Sequence, residues 1–304
     1  MTRNAPVTTQ VDVPRCDYEG SRYQVEFWTP DRTYEDLAER AALRRLLPPT
    51  GRRLVEIGAG AGRLFDLYGG YEEVYLLDYA RSQLEQARQR VGDRPGVYLV
   101  QGDVYALPFA DGFFDTVVTV RVLHHVVDVP AALEEIARAC APGAVYVLEF
   151  ANKRNAKAIL RSLLGRGRPG ERPFDLAPYE FAPLNVDYHP AYMRWLLRAA
   201  GFEPVAELAV SHFRLPLLKR LVPAPWLARL DAWLQGPTAR LRLTPSLVVR
   251  ARLVRPKAPG TGQRWRCPHC GSTAMEEAPD RLVCRSCEHV YPVENGIYVL
   301  RADL

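Results

Sequence analysis

Apolar positions recur along this chain with two different periods. Around residues 34–47, Tyr34, Leu37, Ala41, Leu43 and Leu46 mark a helical stripe, and the run Pro-Pro-Thr-Gly stops it. Near-continuous Val, Leu and Ile runs at 54–59, 73–79, 96–103, 114–123 and 144–151 then predict five strands. Helical patterns separate them, at the stretch leading out of the glycines 58–62, at 81–91 and at 130–140. A further helix over 190–201 carries Met193, Leu196, Leu197 and Ala200 on one stripe and ends at Gly201. Two last strands are expected near 203–213 and 244–254. Strands of this apolar character, alternating with helices, predict an α/β fold with a mostly parallel sheet covered on both faces.

The rest of the pattern divides the chain. Residues 1–30 read as an N-terminal extension and 31–255 as the main domain. Within that domain, 214–243 is an insertion with prolines at 216, 223, 225 and 237. Trp226, Leu227, Leu230, Trp233 and Leu234 share one face of a helix starting near Pro225, which fits a packed helical hairpin or a lid over a pocket. Residues 256–264 read as a linker and 265–304 as a small cysteine-bearing module.

Charge sharpens this division. The net charge is +5 over 304 residues. Residues 1–150 hold 16 Lys+Arg against 22 Asp+Glu, and residues 151–265 hold 20 against 7. The basic middle suits RNA, an anionic lipid or a phosphorylated substrate, although its arginines are scattered enough to be a solvated face. The first fifteen residues lack the apolar core of a signal peptide, and no run approaches the ~20 apolar residues of a membrane span, so a cytoplasmic, non-transmembrane protein is expected.

The stretch VEIGAGAGRLFDLY, residues 55–68, carries the chemistry. A triphosphate loop requires Gly-Lys-Ser/Thr, and here the glycines run into Arg63 and Leu64. A dinucleotide fingerprint requires G-x-G-x-x-G, and Arg63 stands at its third glycine. Three carboxylates accompany the loop: Glu56 before it, Asp78 ending the second strand and Asp103 ending the third. They would repel a pyrophosphate. They suit a ligand with an amino group, a ribose and an exocyclic adenine amine.

With these pieces in place, residues from about 30 to 255 resemble the class I S-adenosylmethionine-dependent methyltransferases. The resemblance rests on VEIGAGAG, LLDYA, QGDVYALPFADGFFDTVVTVRVLHHVVD and PGAVYVLEF. It implies a Rossmann-like sheet of seven strands, the last antiparallel, with S-adenosylmethionine as cofactor and S-adenosylhomocysteine as product. It implies Gly58, Ala59, Gly60 and Gly62 beneath the methionine part, Glu56 toward its amino end, and Asp78 on the ribose. It also implies Asp103 and Val104 at the adenine and Arg121 beside the methionine tail. Candidate bases are His124 and His125 after the fourth strand, then His189. Either member of the His124–His125 pair can equally pack beneath the ligand or cap the next helix.

Cys267-x-x-Cys270 and Cys284-x-x-Cys287 have the spacing of a closed four-thiolate zinc site, structural because no position is left open. A module of this size has too small a core to fold alone, so metal removal is expected to unfold it by itself. His269 and His289 nearby are expected to face solvent. The run also resembles the small zinc-ribbon family of methyltransferase activators, through its Tyr-Pro-Val and Asn-Gly-Ile ending. Three functions compete: methylation of a small-molecule or lipid-like acceptor, methylation of RNA or a translation protein, and cofactor-binding regulation without catalysis. Neither the acceptor atom nor the oligomeric state is legible in the sequence.

Overall fold

The computed structural model describes residues 13–21, 26–257, 260 and 262–302, so residues 1–12 and 22–25 of the expected extension, 258, 259 and 261 of the expected linker, and 303–304 of the expected ribbon lie outside it. The chain opens its regular structure with α1 (Thr33–Leu46). There follow β1 (Gly51–Ile57), β2 (Tyr71–Asp78), α2 (Arg81–Val91), β3 (Val97–Gln101), β4 (Phe114–Thr119), α3 (Val129–Ala139) and β5 (Cys140–Ala151). After α4 (Ala156–Leu163) comes a small hairpin of β6 (Tyr179–Ala182) and β7 (Asn185–Asp187). Then α5 (Pro190–Ala199), β8 (Phe202–Val210), α6 (Pro216–Leu221), α7 (Ala224–Leu234) and β9 (Ser246–Leu253) complete the main domain.

The main sheet runs β3-β2-β1-β4-β5-β9-β8, with β9 antiparallel to both of its neighbours. The central strands β1 and β4 are apolar on both faces, and Leu54, Val55, Val117 and Val118 are all buried. One core layer lies against α3 and α5, the other against α1 and α2. Asp128 caps α3 by accepting from the Ala131 amide at 3.0 Å, and His189 caps α5 by accepting from Ala191 at 3.2 Å.

Two expectations need correction. The segment after the glycines forms turns and one 3-10 turn, Phe65–Leu67, instead of an α-helix. Twelve residues separate Gly58 from Tyr71, and Gly69 and Gly70 are among them, too little chain for three turns of helix and a return to β2. The sheet also has eleven strands rather than seven. The C-terminal strands β10 (Met275–Ala278), β11 (Arg281–Cys284), β12 (Val290–Glu294) and β13 (Ile297–Val299) extend it past β3. β13 lies parallel to β3, pairing Ile297 with Leu99 and Val299 with Gln101. Trp265, Leu282, Tyr291 and Leu300 join the same core cluster as Val55 and Ile57, so the cysteine module shares the main domain's interior.

The insertion packs on α1. Tyr34 donates to the buried carboxylate of Asp231 at 2.6 Å, and the His212 amide donates to the same carboxylate at 2.8 Å. Leu227, Ala228 and Asp231 form the buried face of α7. The expected stripe is thus rotated: Trp226, Leu230 and Trp233 face outward, because Asp231 finds its partners inside.

Candidate functional site: a cavity at the C-terminal edge of the sheet

The loops after β1, β2, β3 and β4 meet around a cavity of about 160 Å³. This is the edge where ligands of open parallel sheets sit. Glu56, Gly58, Ala59, Gly60, Asp78, Asp103, Val104, Arg121 and His125 all line it, so sequence positions spread over seventy residues converge. Gly62, His124 and His189 do not line it.

Gly58 has φ of +71°, and a Cβ there would lie 2.3 Å from Cγ2 of Val122. Only glycine lets the loop pass that close to the post-β4 segment. The Gly60 amide then donates to Oδ2 of Asp78 at 2.7 Å, while the Ala80 amide donates to Oδ1 at 3.0 Å. These bonds aim the carboxylate into the cavity, and each oxygen keeps a free lone pair for a hydroxyl donor. Burial nevertheless pushes the Asp78 carboxyl up to about 6. Gly62 turns its Cα toward Leu76 and Ala87, so its part is the loop's packing.

Glu56 is buried to 3% exposure, with the buried Tyr68 hydroxyl beside it as its one uncharged donor. Burial pushes its carboxyl up to about 8. A single hydroxyl leaves a buried carboxylate under-solvated, so its charge on a cavity wall is costly unless a cation arrives. A ligand ammonium is a donor of the right kind.

Asp103 accepts from the Tyr105 amide at 2.9 Å and pairs with Arg15 at 2.9 Å. Arg15 belongs to a strap, residues 13–21, that crosses the cavity mouth with Pro14, Cys16 and Tyr18 on its inner side. The Tyr18 hydroxyl lies 2.9 Å from Nε2 of His125. Nδ1 of His125 lies 2.8 Å from the Leu184 carbonyl, which can only accept. Nδ1 therefore carries the proton and Nε2 accepts from Tyr18. Burial holds His125 below its ordinary value and His124 well below it. Both rings are neutral near pH 7. His189 is used as the cap of α5, outside the cavity.

Arg121 has φ of +60° and does not project freely. Its amide donates to Glu149 at 3.0 Å, and its guanidinium pairs with the buried Glu39. Arg63 pairs with Glu39 from the other side at 2.9 Å and lies over the Trp28 ring at 3.8 Å. Burial opposes the charge on Glu39, yet Arg121 and Arg63 hold its carboxyl below the usual range. Trp28 completes the cavity wall. Arg15, Tyr18, Trp28 and Glu39 escaped the sequence reading: isolated residues in an aperiodic segment, or on a helix face that reads as core, give no local signal.

The four sequence-paired cysteines also converge. Their sulfurs all lie within 4.8 Å of one another, and all are free thiols. The residue after each pair, Gly271 and Glu288, has positive φ, and its amide returns to the first cysteine's carbonyl at 2.8 Å in both knuckles. Two matching knuckles that present four thiols to one point fit a tetrahedral metal. His289 stacks on His269, and neither contributes to the cluster.

Known proteins share the sequence pattern of this region. Residues 55–148 match the family model described as a methyltransferase domain. Residues 55–148 thus carry the sequence pattern of a methyltransferase domain. Over 113 residues it is 34% identical to the 2-phytyl-1,4-naphtoquinone methyltransferase of Thermosynechococcus vestitus, covering 36% of this chain and 50% of that one. Over 121 residues it is 33% identical to the phosphatidylethanolamine N-methyltransferase of Cereibacter sphaeroides, covering 38% and 60%. The chain spans 30% to 60% of the length of the first curated relatives it matches. Among solved structures, it resembles a chain of the complex between the Haloferax volcanii Trm112 methyltransferase activator and a provisionally assigned methyltransferase. That match has a TM-score of 0.52 and 19% identity, and covers 77% of this chain and 96% of the other. At that identity the likeness concerns the methyltransferase fold. No helix of the described residues is long and apolar enough to cross a membrane.

Proposed function

We propose that the chain is an S-adenosylmethionine-dependent methyltransferase that acts on a small-molecule or lipid-like acceptor. The observation that carries this reading is the cavity's acceptor set: Asp78 oriented by two backbone amides, beside the buried carboxyl of Glu56. Asp78 would take the ribose hydroxyls, Glu56 the ammonium through the glycine loop, and Asp103 with Val104 the adenine. The cofactor supplies an activated methyl on a sulfonium. When bound, it would give that methyl to the acceptor's lone pair with loss of the S–C bond, leaving S-adenosylhomocysteine.

The chain's own work is orientation and exclusion of water, which can lower the barrier by ~7–11 kcal/mol. The strap and Trp28 close the cavity, and the Arg63–Glu39–Arg121 cluster fixes the wall where the acceptor enters. An acceptor with an acidic proton needs no base. For one of higher pKa, His125 accepts the proton at Nε2 once Tyr18 turns away, which is worth ~10²–10⁴-fold. Cys267, Cys270, Cys284 and Cys287 would hold a structural zinc that stabilises the C-terminal strands. We propose 31–255 as the catalytic unit and 265–304 as the ribbon, located in the cytoplasm.

The relatives that methylate a quinone and a phospholipid support the lipid-like class. Likeness to a chain from the Trm112 activator complex favours a second reading, an RNA or translation-protein acceptor with the ribbon as an activator in cis. Incubation with methyl-labelled S-adenosylmethionine and fractionated extract separates them. Label in the organic-soluble fraction is expected. Label in RNA or protein selects the second reading, and cofactor binding without transfer to any fraction overturns both.

A further inference from the structure

We infer that the outer face of the α6–α7 hairpin is a docking surface for an anionic membrane. α7 buries Leu227, Ala228 and Asp231 against the body, α6 has no buried residue, and the hairpin leaves an unusual outer face. Leu217 and Leu221 are 69% and 72% exposed, and Trp226 and Trp233 are 65% and 71% exposed. Trp226, Leu230 and Trp233 are spaced four and three apart, so they form one stripe along α7. Large side chains at such exposure, gathered on one hairpin, constitute a patch and not scattered surface residues.

Charge identifies the occupant. Residues 211–245 contain six Lys+Arg and a single acidic residue, Asp231. Asp231 is fully buried against Tyr34 and His212, so the outer face shows only positive charge. Arg220 and Arg229 are exposed beside the apolar stripe, and Arg229 lies over the Trp226 ring at 5.5 Å. Tryptophan and leucine flanked by arginine on one face is the pattern of an element lying in the plane of a lipid interface. A purely polyanionic partner such as RNA would account for the arginines but leave four exposed apolar side chains unused.

A cleft of about 410 Å³ opens at the foot of this face, lined by Pro30, Tyr34, Arg214, Lys219 and Arg220, with Asp31 as its one acidic member. Lys219 is held by Glu35 at 2.9 Å, whereas Nε of Arg214 is buried without a partner. An anionic headgroup phosphate would meet the positive charge of Arg220 and Lys219 at this cleft. Pro30 of this cleft lies two residues after Trp28 of the cofactor cavity, and a lipid-like acceptor would be delivered to the proposed site along this segment. The surface itself stands without the proposed activity; only the delivery of acceptor rests on it.

The test uses the full chain without cofactor, so its outcome is independent of methyl transfer. Binding is measured by cosedimentation and tryptophan emission with phosphatidylglycerol–phosphatidylcholine vesicles and with phosphatidylcholine vesicles alone. Preferential binding to the anionic vesicles with a blue-shifted emission is expected. Trp226→Ser with Trp233→Ser, and separately Arg220→Gln with Arg229→Gln, should each weaken binding by roughly tenfold or more, at about 1 kcal/mol per removed basic residue. Thermal stability should stay unchanged, because all four side chains are outside the core. Lack of wild-type binding to anionic vesicles overturns the inference, as does equal binding by both variants. Dimers that the tryptophan variants convert to monomers, or RNA binding that depends on the arginines alone, overturn it in favour of those partners.

Discussion

Asp78 and Glu56 show how two carboxylates of one cavity come to differ. Asp78 is tied by two amides and is available to hydroxyls, so Asp78→Ala should weaken S-adenosylmethionine binding by about 2 kcal/mol, the scale of hydrogen bonds to a charged group. Calorimetry on a folded variant checks this, and unchanged affinity removes the ribose assignment. Glu56 is a linkage probe. Its carboxyl is raised from 4.5 to about 8 by burial, so the folded state binds its proton more tightly than the unfolded chain. Its contribution to stability is therefore full below the ordinary carboxylate value and is lost as pH rises through about 8. Asp78, raised to about 6, adds the same sign at lower pH, so the range from 6 to 8 belongs chiefly to Glu56. Melting temperature without ligand should fall across that range, Glu56→Gln should flatten the slope, and bound S-adenosylmethionine should flatten it too by giving the carboxylate a cation. A slope identical in wild type and variant rules this out.

At the level of elements, the strap over 13–21 is tied at the cavity by Arg15 on Asp103 and Tyr18 on His125, and at the start of α2 by the Gly20 amide, which donates to the Ser82 hydroxyl at 2.9 Å. Arg15→Ala removes one of them without touching the sheet. Cofactor dissociation, followed by stopped-flow fluorescence, should then quicken several-fold while association changes little, since closure acts after encounter. The strap illustrates what a sequence conceals. α1, α2, α3 and α5 were legible because one face of each is apolar at helical spacing, and β1 to β5 because strands buried on both faces read as continuous apolar runs. The strap has no period, and its partners lie sixty to one hundred residues away. The orientation of α7 was concealed for a related reason. Its apolar residues outnumber those that one face can bury, and the decision fell to Asp231, whose partners Tyr34 and His212 come from other elements.

Across the whole molecule, the consequence of one continuous sheet is coupled stability. The ribbon's β13 pairs with β3, and Arg301 donates to the Tyr79 hydroxyl at 2.6 Å while lying over its ring. Tyr79 follows Asp78 on the cavity wall. Cys284→Ser should therefore lower the melting temperature of the entire chain in a single transition and weaken S-adenosylmethionine binding, and not merely free the last forty residues. Calorimetric scans and metal analysis check this; a separate low-temperature transition with cofactor affinity intact would falsify it. Arg301→Ala isolates the route: zinc content should stay stoichiometric while cofactor affinity drops by a few-fold, measured by titration calorimetry.

What the sequence determined by itself is what local spacing can encode. The glycine loop, the apolar runs that mark each strand and helix, and each Cys-x-x-Cys knuckle are local patterns, and Asp78 and Asp103 are marked by ending such runs, so their chemistry is written in order along the chain. What only the tertiary structure decided depends on distant segments meeting. It set Arg15 on Asp103, capped Nε2 of His125 with Tyr18, sent His189 to a helix end, and turned two tryptophans outward. It also joined the ribbon to the sheet through the edge of β3. An edge strand offers its amides and carbonyls to whatever strand reaches it, and that choice is made by backbone groups every residue shares, which leave no mark in the order of side chains.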